Sequence, residues 1–308
     1  MLEILKNPNF DFLGRTKYFV AVSLTIIFGG FGYMVANGLY FGANPKGYGV
    51  EFSGGTQLII HFENTPAIDR IRAAIVDATI QTYDDPAKNQ VLVRIAAADE
   101  ENLDQAANAA KAAIAAQYPE NRILESSSEI VGPTVGADLR QKAIQLTVWG
   151  LLFQLLYITW RFGGAIWGAA ATLAVFHDVL VTLACLAVFG YEITLNIIAA
   201  LLTLVGYSVN DTIVIFDRAR ENLKAKKKDS LAKVLNDSLN QTLTRTLISN
   251  GTTFLAVLGL YLFGGEVLKG FGFTMAVGIL VGTYSTIYIA SPVVVWWQKR
   301  QAGRVPSS

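Results

Sequence analysis

The sequence predicts a polytopic α-helical membrane protein with six transmembrane helices and one small α+β, ferredoxin-like domain between the first and second helices. The first observation is composition: of 308 residues, 52% are hydrophobic and 16% are charged, which is too apolar for an ordinary soluble protein. The second is that several apolar runs reach the roughly 20 residues needed to cross a bilayer. The third is a single polar stretch of mixed charge, residues 42–138, that interrupts these runs.

Charge, cysteine and histidine usage exclude several kinds of site. The formal net charge is +1, so we expect no nucleic-acid partner. Cys185 is the only cysteine and lies in an apolar run, so an intramolecular disulfide is impossible and a thiol metal site is not expected. The two histidines, His61 and His177, lack metal-ligand spacing. We therefore expect neither a bound metal nor a cofactor.

The first transmembrane helix is predicted at residues 18–40, within a segment 1–41 that has a cytoplasmic N-terminus. Lys6, Arg15 and Lys17 lie before the apolar run, as they would in a cleaved signal sequence. The run is longer than the apolar core of such a signal, and its V-A-N-G end is a poor cleavage site. We expect a retained helix, with a cleaved signal as the alternative.

Residues 42–138 alternate between strand-like and helix-like patterns, which predicts one α+β domain. A first strand is expected at residues 50–62, broken or bulged at Gly54-Gly55. Thr65-Pro66 supplies an N-cap followed by a proline at the first helical position, and it begins a helix. The apolar residues of that helix fall on one face: Ile68, Ile71, Ile75 and Val76.

In the rest of this domain, the sequence predicts a second strand at residues 90–97, a second helix at 100–118 and a third strand at 122–131. The resulting β-α-β-α-β order suits helices layered on a sheet, as in split-βαβ, ferredoxin-like domains. Gly54-Gly55 lacks the further glycines and the lysine of a phosphate loop, so we interpret it as a backbone feature only.

Five more apolar runs predict the remaining transmembrane helices, all within residues 139–298. They are residues 139–160, 165–189, 193–216, 243–263 and 267–297. The pair Gly163-Gly164 forms a hinge before the second of these runs. Trp296 and Trp297 anchor the last run at the interface, before a short tail at residues 299–308.

A basic stretch at residues 218–240 separates the fourth and fifth predicted helices. Ser230 is a candidate N-cap there, and the apolar residues behind it share one face: Leu231, Val234, Leu235 and Leu239. This pattern predicts an amphipathic helix lying on the membrane surface. If the helices alternate, the short segments rich in Lys and Arg all fall on one side. We therefore expect both termini in the cytoplasm and the α+β domain outside it.

An ionisable residue, Asp211, interrupts the fourth predicted helix about 9 Å from its cytoplasmic end. A carboxylate inside the bilayer is costly on an isolated helix, so such residues usually face a polar interior and mark a path for ions or protons. The alternative is a carboxylate that reaches the interface or only ties helices together.

Arg245 lies about one turn inside the fifth helix, within reach of Asp211 once its long side chain is allowed for. Such a pair suggests reversible protonation of Asp211, with a moving Arg245 as the switch that favours the charged carboxylate. Polar residues at helical spacing would form a supporting network: Ser208 and Asn210 on the fourth helix, and Thr242, Thr246, Ser249 and Thr253 on the fifth. Taken alone, Arg245 would be a positive-inside anchor.

The third helix carries His177 and Asp178, and Asp178 lies about 20 Å from the cytoplasmic end, near the bilayer centre. These two residues would join the polar network or only bond across helices. An intramembrane aspartyl protease would need Asp178 and Asp211 as a dyad. Their depths place them about 10 Å apart, and the G-x-G-D motif is missing, so we expect no enzyme activity.

Five motifs resemble the SecF family, whose members are subunits of the bacterial SecDF protein-export complex. They are E-F-S-G-G-T at residues 51–56, V-G-P-T-V-G at 131–136, H-D at 177–178, G-Y-S-V-N-D-T-I-V-I-F-D-R at 206–218 and R-T-L at 245–247. The resemblance covers essentially the whole chain, and the fourth motif is the most specific. Glu51 stands where Asp is expected more often, which is a mild departure.

The resemblance implies the six-helix half of a resistance-nodulation-division (RND) fold, completed by SecD as a separate chain or a fusion. It implies a 1:1 complex with SecD in the bacterial inner membrane, where the proton-motive force helps to pull preproteins from the SecYEG channel. It also implies that Asp211 carries the proton, with Arg245 as its partner at the SecD interface.

Two alternatives remain open. One is half of another RND-type proton-coupled exporter, of lipid or small molecules. It is disfavoured because the outer domain, at about 95 residues, is small beside the docking and porter domains of drug pumps. The other is a structural subunit whose buried charges only hold helices together.

Overall fold

The computed structural model describes residues 8–40, 46–75, 78–83, 86–95, 103–162, 164–225 and 229–302. These residues form two compact units. The helical unit comprises the described residues of 1–46, 147–191 and 196–308, and the sheet unit those of 47–146 and 192–195. Each unit has a hydrophobic core of its own.

The first long helix, α1, spans Thr16–Asn37 and follows a 3-10 turn at Leu13–Arg15. Gly38 ends it in the left-handed conformation, with φ 64°, and donates from its backbone N–H to the carbonyls of the last turn. The predicted first apolar helix is thus confirmed, with both of its ends slightly earlier in the chain.

The sheet unit contains a 3-10 turn at Pro86–Lys88 and the start of a long helix at Pro133. Its described residues before that helix also include four strands and three α-helical segments. In chain order they are α2 (Val50–Ser53), β1 (Gly55–Phe62), α3 (Ile68–Ala74), β2 (Ala78–Tyr83), β3 (Gln90–Ile95), α4 (Leu103–Gln117) and β4 (Ile123–Val131). The strands lie in the order β2-β3-β1-β4, and every adjacent pair is antiparallel.

One face of this sheet forms the core of the sheet unit. Alternate side chains of a strand point to the same face, so Leu58, Ile60 and Phe62 of β1 are buried together. They pack in one cluster with Ile71 of α3 and Ile114 of α4. Burial of each of these large side chains stabilises the unit by roughly 1.5–3 kcal/mol relative to exposure.

Two predictions for this unit are wrong. Residues 50–53 form a helical turn and not the first half of a strand, because the chain reverses at Gly54 and Gly55, with φ 74° and 125°. A Cβ at Gly54 would lie 2.7 Å from the Cα of Pro133, so both space and backbone conformation require glycine there. In addition, the strand β2 was not predicted, because its six residues give only a weak alternating pattern.

The predicted N-cap of α3 is also wrong. The helix begins at Ile68 with Ala67 as its N-cap, which makes no side-chain cap hydrogen bond. The other predicted elements of the unit are confirmed as β3, α4 and β4. Val76, residues 96–97 and residues 100–102 of the predicted elements lie outside the described residues.

The next three helices match the predicted apolar runs. α5 (Pro133–Phe162) begins earlier than expected, because Pro133 suits the first helical position. α6 spans Ala165–Val188, with Gly164 as its N-cap, and α7 spans Leu195–Ala225. Gly163, the other residue of the predicted hinge, lies outside the described residues.

The helix α8 runs without interruption over Leu231–Phe263, so the segment predicted to lie on the membrane surface is not a separate helix. The segment's first part belongs to α7 and its last part to α8, and residues 226–228 lie outside the described residues. Ser230 is the N-cap as predicted, with its Oγ accepting from the backbone N–H of Lys233 at 3.4 Å. The apolar face at the start of α8 is buried in the helical core, through Leu231, Leu235 and Leu239.

The last apolar stretch consists of α9 (Gly265–Ser285), a π-helical turn (Thr286–Ala290) and α10 (Ser291–Ala302). The Oγ of Ser291 donates to the backbone carbonyl of Thr286 across this wider turn, at 2.9 Å. Such turns inside α-helices occur frequently at functional sites. Residues 303–308 of the predicted tail lie outside the described residues.

Six helical stretches of the described chain are long and apolar enough to cross a membrane, which confirms the predicted number. Those of α6, α7 and the α9–α10 stretch are at least half buried, whereas those of α1, α5 and α8 expose most of their surface. The protein is a multi-pass membrane protein with a bundle centred on α6, α7 and α9.

Candidate functional site

Asp211 lies on α7, and its side chain is buried in the helical unit. The Nδ2 atom of Asn250, on α8, donates to its Oδ2 atom at 2.5 Å. The same Asn250 amide donates to Oγ1 of Thr283 on α9 at 2.7 Å, and its Oδ1 accepts from the hydroxyl of Tyr207 at 2.9 Å. Asn250 therefore joins three helices at the Asp211 carboxylate.

Arg245 does not form the predicted direct pair with Asp211. It lies on α8 five residues before Asn250, and its side chain is exposed. No ion pair joins it to Asp211, although both residues are described. The direct partner of Asp211 in this conformation is thus a neutral amide.

A second carboxylate, Asp178 of α6, is fully buried at 0% exposure. Its Oδ2 accepts from Oγ of Ser208 at 2.5 Å and from Oγ of Ser285 at 2.9 Å. Its Oδ1 lies 2.9 Å from Nδ1 of His177. Asp178 therefore binds groups from α6, α7 and α9, and it lies at the meeting point of the three central helices.

The imidazole of His177 continues this hydrogen-bonded chain toward α1. Its Nε2 lies 3.0 Å from the hydroxyl of Tyr284, and that hydroxyl lies 2.7 Å from Oγ of Ser23. Ser23 is buried at 1% exposure. The chain Ser23–Tyr284–His177–Asp178 thus crosses the bundle from α1 to its centre.

Four consecutive hydroxyl residues near the end of α9, T-Y-S-T at 283–286, connect both carboxylates. Successive residues of an α-helix are rotated by about 100°, so a run of four points to every side. Thr283 bonds Asn250, Tyr284 bonds His177, Ser285 bonds Asp178, and Oγ1 of Thr286 lies 3.0 Å from Oγ1 of Thr212. The π-helical turn begins at the last of these residues.

Glycines on α9 allow this close approach. A Cβ at Gly282 would lie 3.1 Å from Oγ of Ser208 and 3.5 Å from Oδ2 of Asp178. A Cβ at Gly278 would lie 2.4 Å from Cδ1 of Leu204. A Cβ at Gly206 would have no atom within 4 Å among the described residues, so the approach of α7 and α9 does not require glycine there.

The predicted supporting residues divide into two groups. The structure brings His177, Asp178 and Ser208 together, as described above. Asn210 is exposed, and Ser249 contributes its backbone carbonyl to the Tyr207 hydroxyl at 3.4 Å. Thr246 is buried, and no hydrogen bond joins it to either carboxylate within the described residues.

Sequence analysis missed several residues that complete the site: Ser23, Tyr207, Asn250, Thr283, Tyr284 and Ser285. Asn250 was within reach of prediction, because it lies four residues after Thr246 and eight after Thr242, on the polar face of α8. The T-Y-S-T run was also a visible polar signal inside an apolar helix.

Metal-ligating side chains do not gather in this part of the molecule. Within the described residues, no group of three or more His, Cys, Asp or Glu side chains is placed to hold a metal ion. The arrangement instead suits movement of protons between carboxylates and hydroxyl groups.

A charged cluster also lies inside the sheet unit. Arg94 of β3 forms an ion pair with Glu192 and donates from Nε to Oε1 of Gln57 at 2.9 Å. Burial lowers the pKa of Arg94, and the negative charges of Glu51 and Glu129 oppose that shift. Burial, followed by the charge of Glu51, raises the pKa of Glu129, against the opposing effect of Arg94.

Comparison with known families and relatives gives a consistent result. The family model described as protein export membrane protein SecD/SecF, C-terminal, matches residues 111–300. A protein translocase subunit SecF from Koribacter versatilis is 35% identical, over 98% of this chain and 95% of that protein. Another from Calditerrivibrio nitroreducens is 38% identical, over 95% of this chain and 96% of that protein.

Longer SecDF proteins match through part of their length. The protein translocase subunit SecDF of Thermus thermophilus is 35% identical over 98% of this chain and 40% of its own length. The crystal structure of that organism's SecDF, described as a translocon-associated membrane protein, has a TM-score of 0.80 and 34% identity. It covers 96% of this chain and 39% of its own. A structure of SecDF in a super-membrane-facing form has a TM-score of 0.70 at 34% identity, over 97% of this chain and 40% of its own.

Proposed function

This chain belongs to the SecD/SecF family of protein export membrane proteins, and from that premise we propose that it couples proton movement through its helical unit to protein export. It is a SecF subunit in protein translocation. The proposal concerns what drives that subunit and which residues take part. We assign it an accessory role without covalent chemistry.

The partner in this proposal is SecD in a 1:1 complex. The Thermus thermophilus relative, which this chain matches over 40% of its length, is named SecDF, and that name supports SecD as the partner. The exposed apolar residues of α8, such as Leu247, Ile248 and Leu255, suit a membrane-embedded protein partner as well as lipid. On this view the six helices form one half of an RND-type bundle.

The placement of the units follows from the distribution of charge. We place the protein in the bacterial inner membrane, with both termini in the cytoplasm and the sheet unit outside, as a ferredoxin-like domain. Its order β-α-β-β-α-β supports that assignment. The SecYEG channel and the preprotein that emerges from it are the partners that this domain would meet.

The observation that carries the proton role is the bonding of Asp211. Within the described residues its direct partner is the neutral amide of Asn250, and Arg245 lies exposed on the same helix as that amide. A carboxylate buried in a membrane needs either a bound proton or a counter-charge. We assign the proton to Asp211 in one state and the Arg245 counter-charge in the other.

The membrane potential supplies enough energy for this switch. Movement of one charge through 100 mV makes about 2.3 kcal/mol available. That energy shifts a two-state equilibrium about 50-fold, since each tenfold step corresponds to about 1.4 kcal/mol. One proton per switch is therefore sufficient to reverse a modest conformational preference.

The test is Asp211→Asn in the SecD complex reconstituted with SecYEG. Asn retains the size and hydrogen bonding of the side chain but cannot bind the proton. We expect loss of proton-dependent conductance and of the part of preprotein export that the proton-motive force stimulates. The matched control is Asp217→Asn, on the same helix, whose carboxylate pairs with Arg161 and is 39% exposed. The proposal is overturned if the Asp211 variant inserts, binds SecD and keeps both activities.

A further inference from the structure

We propose that His177, Asp178 and Tyr284 form a second proton-binding site in the helical unit, reached through the hydroxyl of Ser23. The ligand is a proton, and the site is separate from the Asp211 carboxylate. The part that this site plays in the transport cycle rests on the proposed function. Its ability to bind a proton stands on the hydrogen-bond geometry.

Asp178 has satisfied partners in both of its protonation states. As a carboxylate it accepts from Ser208, Ser285 and His177. As a carboxylic acid it would donate one hydrogen bond. The Nδ1 atom of His177, which has lost its proton, then accepts that bond from Oδ1, while Ser208 and Ser285 continue to donate to Oδ2. The site therefore gains a proton without leaving a buried polar atom unpaired.

The groups between Ser23 and Asp178 all transfer protons in either direction. In the Ser23–Tyr284 contact either oxygen can be the donor, and the two nitrogens of His177 exchange roles with the tautomer. Their separations of 2.7, 3.0 and 2.9 Å are all hydrogen-bond distances. The row of hydrogen bonds is therefore continuous from Ser23 on α1 to the Asp178 carboxylate.

Proton transfer along the chain balances at every atom. When a proton is delivered to Oγ of Ser23, which is itself buried, Ser23 passes its own proton to the Tyr284 oxygen. Tyr284 passes its proton to Nε2 of His177, and His177 releases its Nδ1 proton to Oδ1 of Asp178. Each group ends with the number of protons it began with, and Asp178 has gained one. The imidazole has changed tautomer and now donates from Nε2 to Tyr284.

A purely structural tie between helices does not need these residue types. Serine, threonine and asparagine join helices elsewhere in this bundle, as Thr212 and Thr286 do. An ionisable His–Asp pair buried in a membrane is far more costly unless the two groups share a proton. The presence of that pair at the centre of the bundle favours proton binding.

The second site is linked to Asp211 through two helices. Ser208, which bonds Asp178, lies on α7 three residues before Asp211. Thr283, which bonds the Asn250 that holds Asp211, is the neighbour of Tyr284 on α9. Protonation of either carboxylate thus changes hydrogen bonds on the same two helices. The π-helical turn that follows provides a point where α9 can adjust.

The titratable groups around Asp178 come from few elements. On α6 they are His177 and Cys185, whose thiol acts on Tyr284 of α9. On α9 the group is Tyr284, on α7 Asp211 lies three residues after Ser208, and α1 contributes the Ser23 hydroxyl. No Lys or Arg pairs with Asp178 within the described residues, and its ring partner is the His177 imidazole.

The experiment is infrared difference spectroscopy of the full SecD complex in lipid vesicles after a pH jump, followed at the C=O stretch of protonated carboxyl groups. We expect Asp178→Asn to remove one band and Asp211→Asn to remove a different one. An unchanged spectrum for Asp178→Asn overturns this inference. An unchanged spectrum for Asp211→Asn overturns the proposed role of Asp211, so the two failures are distinguishable.

A second variant tests the route if Asp178→Asn does not assemble. Tyr284→Phe retains the ring that packs edge-on against His177 but removes the hydroxyl. We expect hydrogen–deuterium exchange at the Asp178 carboxyl to slow about tenfold, as an added barrier of about 1.4 kcal/mol would cause. The control is Thr182→Val, which removes a buried hydroxyl on α6 outside the chain. Equal exchange rates in the two variants overturn the route through Tyr284.

Discussion

The Asn250 amide donates to the Asp211 carboxylate across the contact between α8 and α7, with 2.5 Å between Nδ2 and Oδ2. Arg245, the partner that the sequence predicts for Asp211, is exposed on α8. The partner that holds Asp211 in place is therefore distinct from the partner that would neutralise its charge. Substitutions of Asn250 and of Arg245 should therefore have different effects on the protein.

Asn250→Ala should uncouple proton movement from export. Loss of a buried hydrogen bond to a charged group is worth about 1.5–3 kcal/mol, which corresponds to a change of roughly 10- to 150-fold in the balance of states. We expect export driven by the proton-motive force to fall by about tenfold or more in reconstituted vesicles. Thr253→Ala is the control, because Thr253 lies almost one turn further along α8 and bonds only the Ser249 carbonyl. Equal activity of both variants would count against a role for Asn250.

Gly278→Ala should destabilise the helical unit by about 1–3 kcal/mol through overpacking. The new methyl group would lie 2.4 Å from Cδ1 of Leu204, which is fully buried and has little room to move. The measurement is the thermal unfolding midpoint of the purified chain in detergent. Gly278→Ala combined with Leu204→Ala should cost less than the sum of the two single changes, since the clashing atoms are then absent.

The matched glycine for that experiment is Gly206, on the partner helix α7. No atom lies within 4 Å of a Cβ placed there. Gly206→Ala should raise stability by about 0.5–1 kcal/mol, because alanine restricts the unfolded chain and favours the helix. A destabilising effect of similar size at both glycines would show that the Leu204 contact does not account for the loss at Gly278.

The sequence predicted the fold well where long apolar runs mark the helices. Apolar runs predicted all six membrane helices, and Asp211 stood out because a carboxylate is rare inside such a run. The partners of that carboxylate were not predictable in the same way. Depth along a helix placed Arg245 near Asp211, but depth does not give the rotation of α8 that turns Asn250 inward and Arg245 outward.

The same limit applies to Asp178 and to the sheet unit. Depth estimates separated Asp178 from Asp211, yet Ser208 links α6 to the turn before Asp211 because Gly282 lets the helices approach closely. In the sheet unit, the strand β2 has too short a pattern to distinguish it from a loop. Its place is fixed by pairing with β3, a contact that no local pattern encodes.

Glu129→Gln should stabilise the sheet unit at neutral pH. Burial and the nearby charge of Glu51 raise the pKa of Glu129 above its ordinary value of 4.5, so the folded unit disfavours the charged form. The group therefore lowers stability above its folded pKa and has no effect below 4.5. We expect a gain below about 1 kcal/mol, because the side chain is partly exposed.

The check for Glu129 is hydrogen–deuterium exchange of β1 and β4 in the full chain at several pH values. Protection in the variant should exceed that of the parent protein at neutral pH, and the difference should vanish in acid. Glu125→Gln is the control, because Glu125 lies on the same face of β4 four residues earlier. A pH-independent gain would point to changed strand propensity instead of relieved charge.

Glu192→Gln, which removes the ion-pair partner of Arg94, should increase hydrogen–deuterium exchange at residues 192–195 of the sheet unit. The side chains of Arg94 and Glu192 are 17% and 28% exposed, so the pair is largely withdrawn from solvent. Glu192→Gln leaves the buried guanidinium without its ion pair, which should cost about 1–3 kcal/mol. Arg94→Met combined with Glu192→Gln should cost less than the sum of the single changes, by about 0.5–3 kcal/mol.

Hydrogen–deuterium exchange at β3 and at residues 192–195 measures this coupling, and the sheet unit contains its own control. Arg70 and Glu120 form an ion pair in which the side chains are 57% and 53% exposed. Glu120→Gln should change stability by less than about 1 kcal/mol, since water screens an exposed pair. If both glutamate variants alter exchange equally, burial does not strengthen the Arg94 pair.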